Sequence, residues 1–114
     1  MEERNIVART RYVKIPPRKA RLAADLIRGL LVEEASVQLR FSHLKAGRLL
    51  QKTLSSAIAN AENVLDIERA HLKVKEVKVD AGPVMKRSKS KNRGGRVPIM
   101  KRTSHFTIVV GAAH

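Results

Sequence analysis

The 114-residue chain has no cysteine and no tryptophan, and its only aromatics are Tyr12, Phe41 and Phe106. Without cysteine there is no disulfide and no thiolate metal site, which fits a reducing compartment. With three aromatics, the core has to be built from Leu, Ile, Val and Ala, and a single-strand binder made of stacking platforms is disfavoured. No apolar run approaches the roughly 18 residues of a membrane span. The opening Met1-Glu2-Glu3-Arg4-Asn5 lacks the apolar segment of a signal peptide, so a cytoplasmic protein is expected. The most informative absence is acid: all ten Asp and Glu residues lie at or before Asp80.

What is present is cation. The formal charge is +14, well beyond what solubility requires, and it points to nucleic acid or an anionic membrane surface as partner. The first 80 residues carry 16 cations against ten acids, whereas the last 34 carry eight cations and no acid. A hydrophobic fraction of 43% supports one modest core, and the length fits one domain.

Two stretches rich in β-branched residues, Leu72–Val79 and Thr103–Val110, predict the arms of a hairpin. Between them runs Met85–Arg102, with Lys86, Arg87, Lys89, Lys91, Arg93, Arg96, Lys101 and Arg102 and no acid, a segment that cannot fold as a core. A solvated connection of this length is functional or disordered. An arm of roughly 19 residues at about 3.3 Å each reaches on the order of 60 Å, far beyond a globule of about 11 Å radius of gyration. A projecting basic finger follows, with its reversal at Asn92-Arg93-Gly94-Gly95 and a break in the ladder at Asp80-Ala81-Gly82-Pro83. In the first arm Leu72 and Val74 share one face but Val77 and Val79 share the other, which predicts a β-bulge near Lys75-Glu76.

Ahead of the arms, Arg4–Ile15 predicts a strand, and Pro16-Pro17 ends it and opens a helix running to Arg28, with Gly29 as its stop. Leu22, Ala23, Leu26 and Ile27 form its expected apolar stripe. A short helix is expected over Val32–Phe41, with Glu33 and Glu34 in its first turn and Ala35 and Leu39 inward. The longest helix is expected over Leu44–Val64, with Leu50, Leu54, Ala57, Ile58, Ala61 and Leu65 in phase and Ala57, Ala59 and Ala61 permitting close approach. Asn63–Ala70 reads as a surface connection.

The fold expected is α+β: three helices on a small three-stranded antiparallel sheet, with a long protruding basic β-hairpin. It is one domain, 1–114, whose globular part is about 1–80 plus 103–114 and whose extended tip is about 81–102.

The candidate contacts with nucleic acid fall into two groups. In the hairpin they are Lys86, Arg87, Lys89, Lys91, Arg93, Arg96, Lys101 and Arg102 as phosphate neutralisers, Gly94 and Gly95 for close backbone approach, and His105. In the globular part they are Arg11, Lys14, Arg18, Lys19, Arg21 and Arg28, with Lys45, Arg48 and Lys52 along one helix edge. The plain alternative for each is a solvated charged surface; dispersed cations suit structured RNA, read by shape and backbone. Asn60 and Asn63 fit either RNA contact or helix capping. His43, His71, His105 and His114 lack the spacing of a metal site, and no cofactor is implied. Ser104, His105 and Asp80 can be drawn as a hydrolytic triad, but no glycine-flanked nucleophile turn supports one. No small-molecule substrate and no membrane is indicated.

Over nearly its whole length the chain resembles the bacterial-type ribosomal protein L22 family of the large subunit. The resemblance is carried by Arg11–Ile15 with Pro17–Leu22, Ala24–Gly29, Ser56–Asn63, Val79-Asp80 with Gly82-Pro83, Met85-Lys86-Arg87 and Lys101–His105, in family order. It implies binding to 23S rRNA beside other large-subunit proteins, help in subunit assembly, and a hairpin lining the tunnel through which the nascent peptide leaves. It implies no catalysis. Two departures are Pro16, where serine is expected, and the tip Ser88–Pro98, which keeps the charge of the family pattern but not its residue order. Two rival readings are a freestanding nucleic-acid-binding regulator, which needs a recognition helix or dimer face, and an RNA-acting enzyme, which needs clustered carboxylates or histidines.

Overall fold

Two Pro residues and a left-handed glycine set the first turn of the architecture. Pro16, extended at φ −62° and ψ 135°, closes the strand β1 (Asn5–Val13) and opens the helix α1 (Pro17–Ile27). The helix ends at Arg28, and Gly29 follows at φ 81°, a conformation that costs other residues strain. The computed structural model describes residues 4–90 and 96–113, with the backbone course alone over 85–90 and 96–100.

Two further helices follow, α2 (Val32–Arg40) and α3 (Lys45–Leu65), and then a 3-10 turn, Arg69–His71, leads into β2 (Leu72–Ala81). Strands β3 (Met85–Ser90) and β4 (Arg96–Lys101) come next, and β5 (Ser104–Ala112) closes the chain's described part. The expected α+β fold is present: β5 lies between β1 and β2, antiparallel to both, and the helices cover one face. Separately, β3 pairs with β4 antiparallel, from Met85 opposite Lys101 to Ser90 opposite Arg96.

The core sits between the helices and one sheet face. Leu72, Val74, Val77, Val79, Phe106, Ile108 and Val110 meet Ile27, Leu39, Leu50, Leu54 and Ile58 there, all buried. The bulge predicted near Lys75-Glu76 is present, because the register to β5 jumps from Val74 opposite Val110 to Glu76 opposite Val109. That single extra residue lets Leu72 and Val74 share the core face with Val77 and Val79. A second irregularity, between Thr10 and Val13, places Tyr12 at φ 58°, in the left-handed region. Ser104 donates from its buried hydroxyl to the Ile15 carbonyl at 2.7 Å, which ties β5 to the β1–α1 turn.

Three inward assignments on the helices need correction. Leu22 and Leu26 are 58% and 42% exposed; α1 instead buries Pro17, Ala20, Ala23, Ala24 and Ile27. The small residues let the helix axis approach the sheet, and Leu22 and Leu26 sit to one side of that line of closest approach. Ala59 is likewise exposed on α3, with Ala57 and Ala61 making the close contact. The connection after α3 begins later than expected, at Asp66, which takes φ 53° and caps the helix.

The ladder break expected at Asp80–Pro83 lies between Ala81 and Met85, and on the partner strand between Lys101 and Ser104. It is braced: the Gly82 N–H donates to the Thr103 carbonyl at 2.9 Å, and the Thr103 hydroxyl donates to the Pro83 carbonyl at 2.7 Å. A side chain at position 82 would collide with the Thr103 hydroxyl and crowd the His105 ring. Beyond the brace the two-stranded ladder carries the chain outward. The protein measures 65 × 26 × 18 Å, with a radius of gyration of 17.1 Å, against about 13 Å for a compact chain of this length.

Candidate nucleic-acid interface

The uncovered sheet face follows from strand alternation. Residues of β5 between the buried ones, His105, Thr107 and Val109, are half-buried, and on β1 Arg9 stands opposite Thr107. Near the brace, Arg9, Arg11, Tyr12, Asp80, His105 and Thr107 surround a cleft of about 300 Å³. The Tyr12 N–H, turned by its left-handed backbone, donates to Nδ1 of His105 at 3.0 Å, and the two rings meet edge to face at 5.0 Å. His105, a candidate for RNA contact, therefore holds the bulge of its neighbouring strand. Ser104 is turned to the core and spent on Ile15, so the triad with Asp80 has no available nucleophile. Arg9, Tyr12 and Thr107 line this cleft although the sequence singles out none of them; for Arg9, its two-residue spacing from Arg11 on a strand was the available signal.

The cations of α1 divide. Arg18 and Lys19 are exposed. Arg21 donates from Nε and Nη2 to the Val79 carbonyl, at 3.3 and 3.2 Å. Arg28 donates from Nη2 to the Val77 carbonyl at 2.9 Å and pairs through Nη1 with Asp25. β2 is an edge strand, and these carbonyls point away from β5. A little further along that edge the Val74 N–H donates to the Leu30 carbonyl at 2.8 Å, and Leu31 bridges to Lys73. Arg21 and Arg28 thus bind their own backbone, although both remain exposed to solvent.

Lys45, Arg48 and Lys52 are all exposed on α3. The structure groups Lys45 with Lys14 and Lys19, around a second cleft of about 460 Å³ where the end of β1, the start of α1 and the start of α3 meet. Lys101 and Arg102, where the finger joins the sheet, are exposed. Lys86, Arg87, Lys89 and Arg96 lie on the β3–β4 ladder, described here by its backbone. Lys91, Arg93, Gly94 and Gly95, with the expected reversal, fall outside the described residues.

Among the described residues no group of three or more His, Cys, Asp or Glu side chains is placed to hold a metal ion, and no helix is long and apolar enough to cross a membrane. Residues 8–111 match the family described as ribosomal protein L22p/L17e. The chain belongs to that family. It is 69% identical over 101 residues to the large ribosomal subunit protein uL22 of Protochlamydia amoebophila, covering 89% of this chain and 91% of the relative. It is 64% identical over 104 residues to the uL22 of Chlamydia pneumoniae, covering 91% and 94%. Membership makes the protein a structural, non-catalytic ribosomal component, and the dispersed cations need no reacting centre.

Proposed function

We propose that the protein binds 23S rRNA in the large subunit of the cytoplasmic ribosome, helps fold that RNA during assembly, and forms part of the wall of the nascent-peptide tunnel with its finger. The observation that carries this is the β3–β4 ladder: it projects from the sheet, and its sequence, with the segment joining its strands, holds cations and no acid. Such a ladder would repel itself in water and is stabilised where phosphates surround it. The division of labour is a globular part, about 1–80 plus 103–114, that docks on RNA by Arg11, Lys14, Arg18, Lys19 and the α3 cations. The tip, about 81–102, reaches between RNA segments through Lys86, Arg87, Lys89, Lys91, Arg93, Arg96, Lys101 and Arg102. Gly94 and Gly95 admit the RNA backbone closely, and the tip passes beside the emerging peptide and neighbouring large-subunit proteins.

The test is a photoreactive residue at position 93, crosslinked in growing cells. Adducts to large-subunit RNA and to nascent chains are expected. Adducts only to DNA or messenger RNA would replace this reading by that of a freestanding regulator.

A further inference from the structure

The cleft that joins Lys14, Lys19 and Lys45 combines two chemistries. Ile15 and Ala46, 3% and 1% exposed, form its floor, and Pro16, Leu22 and Leu44 form its apolar walls. Leu22 and Leu44 are open to solvent at 58% and 37%, with no protein segment covering them among the described residues. The lysines and His43 stand among these walls, and no Asp or Glu lines the cleft. A phosphate backbone needs cations but not apolar walls; an apolar ligand needs walls but not three lysines. A nucleotide needs both.

Two other features favour an anion in this place. Pro16 and Leu44 are the residues preceding α1 and α3, and neither helix has a side-chain cap or an acid in its first turn. Pro17 has no N–H, and those of Lys19 and Gly47 are bonded to the Pro16 and Leu44 carbonyls, so it is the first-turn N–H groups of Arg18, Lys45 and Ala46 that add a positive field to that of the lysines. The volume, about 460 Å³, falls in the range of sites that take small ligands, roughly 300 to 1,000 Å³.

We infer that this cleft receives one unstacked nucleotide of the bound RNA, its base against Leu22, Leu44 and Pro16 and its flanking phosphates on Lys14, Lys19 and Lys45. The inference rests on the RNA-binding function proposed above and adds a requirement on the RNA. A base in a duplex cannot enter, so the contacted position is a bulge, loop or splayed end, where proteins read RNA bases. His43 offers a ring edge and hydrogen-bonding nitrogens to the same base.

The experiment compares two variants of the full chain, Leu22→Asn and the triple Lys14→Gln, Lys19→Gln, Lys45→Gln, for binding to large-subunit RNA across a salt series. Thermal melts confirm that both fold. Leu22→Asn should weaken binding about fivefold to tenfold at every salt concentration without changing the slope, because a base contact releases no counterion. The triple variant should lower the slope by about two units. A photoreactive residue in place of Leu22 should mark a single unpaired nucleotide. Wild-type affinity for Leu22→Asn, while replacing Lys86, Arg87, Arg93 and Arg96 still weakens binding, would overturn the nucleotide cleft and leave RNA binding intact. Crosslinks from position 22 to protein alone, or to paired RNA, would overturn it as well. If neither the cleft nor the finger variants alter RNA binding, the RNA-binding function itself falls.

Discussion

Up to Ala81 and again from Ser104, the two long strands alternate buried and open side chains beneath helices and gain a third partner in β1. Among the described residues, Met85–Ser90 and Arg96–Lys101 pair only with each other. The sequence changes at the same place. Val, Ile and Leu alternate with polar residues in the sheet, whereas the ladder beyond Gly82 has Lys, Arg and Ser over most of its first strand. One region derives its order from burial, and for the other we propose order drawn from neutralised charge.

Substitutions can separate the two. The largest effect on stability should come from Phe106→Ala in the sheet, where a fully buried ring leaves a cavity costing about 3 to 5 kcal/mol. A melt should register it. Loss of less than 1 kcal/mol would mean that the core closes over the gap. In the finger, replacing Lys86, Arg87, Arg93 and Arg96 with Gln should leave the melting temperature unchanged. The slope of log affinity for RNA against log salt should fall by about three units, close to one per lost phosphate contact. An unchanged slope would refute the finger as an RNA anchor.

Smaller effects belong to the boundary. Gly82→Val forces a side chain against Thr103 and His105, and a strained, overpacked site typically costs about 1 to 3 kcal/mol; calorimetry should show the loss, and Gly82→Ala should show less. His105→Phe keeps a ring but removes the acceptor of the Tyr12 N–H, an expected loss of about 1 kcal/mol. Arg21→Met with Arg28→Met should lower stability while changing the RNA salt slope by less than Lys14→Gln with Lys19→Gln does. A larger slope change for the arginine pair would show that they serve RNA more than β2.

The strands and the bulge were legible because a period of two is stringent: the shift in phase between Val74 and Val77 admits few solutions. The α1 stripe was misread because a helix of Ala, Leu and Ile offers adjacent apolar arcs, and close packing selected the arc of small residues, Ala20, Ala23 and Ala24. The roles of Arg21 and Arg28 were hidden because their acceptors are main-chain carbonyls, which sequence does not distinguish. Lys14 and Lys19 fall in one basic patch of the sequence and Lys45 in another; that all three are exposed around one cleft depends on how the ends of three elements meet, and no local pattern encodes that.

The outer edge of β2 is engaged at Val74 by Leu30, at Val77 by Arg28 and at Val79 by Arg21. A strand offered by a second molecule would find those main-chain groups already bonded. Runaway strand-to-strand association through this edge is thereby blocked. Newly made copies, too basic to be inert and not yet on RNA, have one fewer route into aggregates while they wait.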